Sequence, residues 1–261
     1  MGISFLCGII LDKASGEVII NRIITTIWEV LFLAMSPLSF DSLNNPTWYI
    51  SAMLIAGYFI VYLLKKNDEV FVRILSPLIL FGMYGWLFHE IKSLSITVET
   101  TPVVIIRWGN LRAFAGVTAG VLAYKLYKII LEKFTEDKRR RLWLLGNGGL
   151  IFLTICAIYI HNTRVDFYFV VFYMLIIPVL FLDDIKNKYI KKLMIYLGKL
   201  SYPMYLNHLI IENITLKYFS HISIYKVTPI YLFVIIFFSV LSNGFVEWIV
   251  KLIQKRHKLK V

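Results

Sequence analysis

The side chains best suited to chemistry cluster late in the chain. Ser201, Tyr205, His208 and Glu212 follow an i, i+4, i+7, i+11 spacing, which sets them on one face of an α-helix. His208 and Glu212 are four apart, so a carboxylate there can orient an imidazole for general-base work. Taking a proton from a hydroxyl is the chemistry this pair offers. The alternative is a polar stripe packed against a neighbouring helix. Ser201 fits an N-cap and Pro203 a first helical turn, where a missing N–H does no harm. The helix is therefore expected to begin there, with His208 about 9 Å in and Glu212 about 15 Å in at ~1.5 Å rise per residue.

The surroundings that must position these groups are overwhelmingly apolar. The 261 residues are 59% hydrophobic and 17% charged, with a mean hydropathy of +0.72. Soluble domains run about 45–50% apolar and ~25% charged, so the composition points to a membrane and excludes disorder, collagen and a disulfide scaffold. A crossing needs about 20 apolar residues. That window predicts an all-α, polytopic bundle of about eight transmembrane helices. They run roughly over 19–38, 46–64, 70–89, 110–130, 142–161, 165–182, 202–219 and 227–250, in a single domain over 1–261.

The net charge of +12 is explained by topology rather than by nucleic acid, for which no partner role is expected. Of the 28 Lys and Arg, only Lys92, Arg107, Arg112, Arg164, Lys217 and Lys226 fall outside when the N-terminus is placed inside. The positive-inside rule then predicts an N-in, C-in arrangement. The run Lys138-Arg139-Arg140-Arg141 reads either as a plain cytoplasmic stop or as a holder of anionic lipid headgroups or phosphates.

Ionisable groups inside a span are costly, which singles out Glu29, Arg112, His208 and Glu212. Glu29, beside Trp28, is either a site carboxylate or a packing contact. Arg112 lies in a segment with small residues at Gly109, Ala113, Gly116 and Gly120, a pattern that lets helices approach closely. Its planar fork suits a phosphate or carboxylate, or it snorkels to water. Trp48, Tyr49, Trp86 and Trp108 form an outer aromatic rim, read as an interface belt or as surfaces for stacking sugars.

Other chemistries find no template. The chain has no Gly-x-Ser-x-Gly elbow, and Gly146-Asn147-Gly148-Gly149 is not a dinucleotide fingerprint. His89, His161, His208, His221 and His257 are scattered, and Cys7 and Cys156 are lone thiols. No bound metal or redox cofactor is expected.

Leu197-Gly198-Lys199-Leu200-Ser201-Tyr202-Pro203-Met204-Tyr205-Leu206-Asn207-His208 resembles the late LG-x-x-SYPxYLxH signature of the acyltransferase 3 family. These are integral membrane acyltransferases that decorate cell-surface polysaccharides and related glycans. The stretch from Asn45 to Ala56 is similar to the family's WYLSALLIA span, and Arg112 to Gly120 to its Arg-then-Gly-rich helix. Phe245-Val246-Glu247-Trp248 is similar to its closing VEKP-type end, without the proline. The resemblance covers about residues 45–250.

It implies transfer of an acetyl or other short acyl group from acyl-CoA (acetyl-CoA) to a sugar hydroxyl of a polysaccharide or lipid-linked glycan, in the bacterial cytoplasmic membrane. Membrane lipid and a membrane partner protein are the other partners implied. His208 with Glu212 is the in-chain candidate for the base, although the family's scheme makes this histidine a site-lining residue. Arg112 would bind donor phosphate or glycan charge. Trp48, Tyr49 and Ser51, together with Ser201 and Tyr205, would line the substrate site.

The family's first span carries an Arg followed eleven positions on by a His. Here Arg22, Arg73, Arg107, Arg112 and Arg164 are followed at that spacing by Leu33, Tyr84, Thr118, Ala123 and Leu175. Phe5-Leu6-Cys7-Gly8-Ile9-Ile10-Leu11 is similar to the family's second span, so the first is expected to be missing. Three readings stay open: an acyltransferase, an inactive remnant or non-catalytic partner in glycan assembly, and a lipid-linked sugar flippase or polymerase.

Overall fold

The computed structural model describes residues 16–36, 46–94, 101, 106–160, 163–183, 185–219 and 222–258. The expectations for residues 1–11 and for Asn44, Asn45, His161 and His221 lie outside them. Eight helices and no strand element occur among the described residues. We label them α1 (Gly16–Val30), α2 (Thr47–Lys66), α3 (Asp68–Glu90), α4 (Trp108–Lys133), α5 (Glu136–Tyr159), α6 (Asp166–Leu180), α7 (Lys188–Phe219) and α8 (Ile224–Lys258). Five are long and apolar enough to cross a membrane: α2, α3, α4, α5 and the Lys226–Gln254 stretch of α8. Of the other three, α6 falls within its expected 165–182, whereas α1 and α7 differ from the spans expected of them.

Helix α1 ends well before residue 38. The Leu33 N–H reaches back to the Trp28 carbonyl and the Phe32 N–H to that of Glu29. This paired closure needs a left-handed residue after the helix, and Phe32 adopts it with φ of 56°. Helix α6 is apolar but short, at 15 residues.

Helix α7 is the clearest correction. It runs unbroken for 32 residues with Pro203 inside it, so Ser201 is not an N-cap. Its hydroxyl instead donates to the Gly198 carbonyl at 2.7 Å, the back-bonding a mid-helix serine uses, which tends to bend a helix. The lysine run before it is helix rather than loop. The same holds for Lys138–Arg141, which forms the first turns of α5 behind Glu136 and Asp137. Acidic residues suit a helix N-terminus, and Lys and Arg are good helix formers.

The chain divides into two compact units. One comprises 1–22, 43–47 and 185–261, and the other 23–42 and 48–184. In the larger unit many buried residues are small or polar, among them Ser51, Ala52, Ala56, Ser76, Ala113, Ala115, Thr118 and Ala119, packed around a few large apolar side chains such as Met35, Ile60, Phe71 and Leu87. Large apolar side chains such as Phe81 and Leu145 point outward, 69% and 72% exposed. That inversion suits helices packed in lipid, where small residues bring backbones together.

Helix α3 starts on an Asn67 side-chain cap to the Val70 N–H at 3.0 Å. It carries a π-turn at Phe71–Leu75, just where Pro77 withholds an N–H. It packs on α4 through Leu87, Leu94, Trp108 and Leu111. Helix α5 lies so close to α6 that a Cβ on Gly146 would stand 2.8 Å from Val179 Cγ1. That close approach is the role of the glycine-rich stretch 146–149. In the smaller unit, α7 buries Leu200, Ile211 and Thr215 and joins α8 through Asn207 Nδ2 donating to Ser242 Oγ at 3.4 Å.

Candidate functional site

In the larger unit the residues of interest converge on a buried stretch of chain after α1. Met35 is fully buried and packs with Trp48, Ala52, Ala56 and Ala113. Its backbone N–H donates to Ser51 Oγ at 3.0 Å, and its carbonyl accepts from Asn110 Nδ2 at 3.1 Å. Both polar groups of Met35 are thus met by side chains, which a buried irregular segment requires. Ser51, at 0% exposure, therefore clasps backbone and presents no surface to a cavity. Asn110 is 9% exposed, and its Oδ1 has no partner. Sequence reasoning passed over Asn110. A carboxamide at the start of an apolar helix was its one available signal.

Arg112 sits half-buried one turn into α4. Its Nη1 donates to the Leu94 carbonyl, and its guanidinium lies 5.7 Å from the Trp48 ring centroid, a cation–π distance. A guanidinium has five N–H donors, so most of the fork is not committed by the Leu94 bond. Tyr49 meets Trp48 edge-on at 5.5 Å and is partly exposed. Arg112, Trp48 and Tyr49 are brought together here, with Trp48 buried beneath the half-buried guanidinium and Tyr49 reaching the surface. Glu29 is buried at 1% exposure in the last turn of α1.

The loop that Arg112 holds leaves α3 through Lys92, a left-handed residue with φ of 58°. The carbonyl of Lys92 accepts from Thr163 Oγ1 at 2.8 Å. Side chains from two other parts of this unit thus hold the carbonyls of Lys92 and Leu94.

In the smaller unit, His208 Nδ1 lies 2.5 Å from the Tyr205 carbonyl. A carbonyl can only accept, so Nδ1 carries the proton in this hydrogen bond, and it is the tautomer with its lone pair on Nε2 that the contact favours. The carboxylate that was to orient the ring does not do so. No hydrogen bond joins Glu212 to His208 among the described residues, and Glu212 is exposed. Its place is taken by a backbone acceptor one turn earlier. Tyr205 stacks obliquely on the ring, centroids 5.6 Å apart, and its hydroxyl donates to the Pro46 carbonyl at 2.9 Å. Ser201 is exposed.

The sequence model of the acyltransferase domain matches residues 2–246. The chain belongs to the acyltransferase 3 family. The match reaches nearer the N-terminus than the resemblance over 45–250, and it spans both compact units of this acyltransferase-family chain. No curated protein and no solved structure matches it. Membership fits the long apolar helices, and together they make this a membrane protein of an acyltransferase family. The histidine of its late signature is the one whose ring the Tyr205 carbonyl holds. Among the described residues no group of three or more His, Cys, Asp or Glu is placed to hold a metal ion.

Proposed function

We propose that this acyltransferase 3 member moves an acetyl or other short acyl group from acyl-CoA to a sugar hydroxyl of a cell-surface polysaccharide or lipid-linked glycan, working in the bacterial cytoplasmic membrane as an eight-span, N-in, C-in protein. The observation that supports a catalytic role is the His208 ring, whose Nδ1–H is held by the Tyr205 carbonyl while Nε2 is left as a base. Nε2 takes the hydroxyl proton as the sugar oxygen attacks the thioester carbonyl. The C–O bond forms, the C–S bond breaks, and the proton passes to the departing thiolate to give free coenzyme A. Arg112 supplies guanidinium donors for a donor phosphate or an anionic glycan, and Tyr49 supplies a flat surface beside it.

The test is glycan acyl content in a strain with and without the gene, complemented by the wild type, His208→Ala or Arg112→Ala. Loss on deletion, restored by the wild type alone, supports the reading. Unchanged content on deletion sinks it. Altered repeat-unit chain length with unchanged acylation would indicate a flippase or polymerase. A non-catalytic partner role in glycan assembly is the second reading. Under it, deletion lowers acylation while His208→Ala complements fully.

A further inference from the structure

Between α4 and α6 of the larger unit lies an open, apolar groove of about 520 Å³. Gly116, Gly120 and Tyr127 line it from α4, and Tyr173, Ile177 and Phe181 from α6. Its lining runs from Gly116 to Tyr127 on one helix and from Val170 to Phe181 on the other. At ~1.5 Å rise per residue, each run covers about 16 Å. That is close to half a hydrocarbon core of ~30 Å, the depth of a single leaflet. A packed helix would follow the groove across the whole membrane. An acyl chain ends where this groove ends.

One end of the groove is basic. Trp143 Nε1 donates to the Leu180 carbonyl, and Arg139 Nη1 donates to that of Leu131. These two bonds bring the Tyr127 end of α4, the first turns of α5 and the Phe181 end of α6 to one level. Lys128 Nζ lies 5.6 Å from the ring of Tyr124, a groove wall. Lys138, Arg140 and Arg141 are exposed on the first turns of α5, and Arg139 Nε is buried with no partner. Four carboxylates, Glu132, Glu136, Asp137 and, just past Phe181, Asp183, lie among them, and Asp68 is engaged by Lys125. The cations outnumber the acids at this end.

We infer that this groove binds an anionic phospholipid, one acyl chain lying along α4 and α6 and the phosphate held by Lys128 and the basic first turns of α5. Each cation near an anionic headgroup contributes about a fivefold gain in binding, the equivalent of ~1 kcal/mol.

The full-length chain, purified in mild detergent, is titrated with phosphatidylglycerol or with phosphatidylcholine of identical chains. Retained lipid is counted by native mass spectrometry. The expected result is one retained phosphatidylglycerol, at least about fivefold preferred, with the preference lost in a Lys128→Gln, Arg140→Gln, Arg141→Gln variant. Gly120→Leu narrows the groove, at a position where a Cβ meets nothing within 4 Å. It is expected to abolish retention with an unchanged Tm. Equal retention of the two lipids, or a preference that survives the triple variant, overturns the proposal. So does displacement of phosphatidylglycerol by coenzyme A, which would assign the cations to a soluble phosphate. The triple variant changes exposed side chains only, so it decides the question even if Gly120→Leu lowers the Tm.

Discussion

At the scale of single residues, His208 and Ser51 exchange the characters their sequence positions suggest. His208 was expected to lean on Glu212, yet the Tyr205 carbonyl holds its Nδ1. Glu212→Gln is therefore expected to leave the acyl-transfer rate within about twofold, whereas His208→Ala lowers kcat by about 10²-fold or more, the typical worth of a positioned base. Single-turnover acyl transfer to a defined acceptor measures both. Equal losses in the two variants would restore the carboxylate to the ring. Ser51, expected to face substrate, instead accepts the Met35 N–H in a fully buried setting. Ser51→Ala strands that N–H and is expected to cost about 1–3 kcal/mol of stability with KM unchanged, read as a lowered Tm in detergent beside steady-state kinetics. The chemical types of these residues were legible in the sequence, because histidine, serine and arginine are rare inside apolar spans. Their partners were not. A helical register says which groups share a face, but not whether a carbonyl one turn back wins the contact.

At the scale of elements, the late signature segment distinguishes two accounts of one helix. A helix that starts at Ser201 would lose about 1 kcal/mol with Ser201→Ala and be indifferent to a proline in its first turn. The continuous α7 instead carries Pro203 in its interior, a placement that costs about 3 kcal/mol. Pro203→Ala is accordingly expected to raise the Tm, and Ser201→Ala to change it little, in thermal unfolding followed by helical circular dichroism. The opposite ranking would move the helix start back to Ser201. A second contrast lies in α5. Gly146→Ala forces a Cβ to within 2.8 Å of Val179 and is expected to destabilise by about 1–3 kcal/mol through overpacking. Gly148→Ala meets nothing within 4 Å and gains up to about 1 kcal/mol of helix propensity. The apolar runs of α2 to α5 were legible because twenty carbon-rich residues have few other uses. The helical state of the lysine-rich first turns of α7 was not, since a hydropathy window reads charge as a loop although lysine favours helix.

At the scale of the whole molecule, the open matter is how many helices cross and which ends share a side. The basic residues argue for an even number of crossings between the start of α5 and the end of α8, because both ends carry lysines and the positive-inside rule places both in the cytoplasm. Length and composition select α5 and α8 as spans, whereas α6 is short and α7 falls outside the set. An even count then requires α6 and α7 to cross together, or neither to cross. Single cysteines in a Cys7→Ser, Cys156→Ser background separate these cases through labelling of intact cells with a membrane-impermeant maleimide. Lys138→Cys and Gln254→Cys are expected to react only after permeabilisation, and Arg164→Cys, beyond the far end of α5, to react without it. Ser223→Cys, between α7 and α8, is expected to label like Arg164→Cys. Asn187→Cys, between α6 and α7, reports on the pair: protected if both cross, labelled like Arg164→Cys if neither does. Gln254→Cys and Lys138→Cys on opposite sides would leave one of the two short of the membrane. If that helix is α7, Pro203 would lie in a helix that runs along the surface, and His208 would sit at the membrane face.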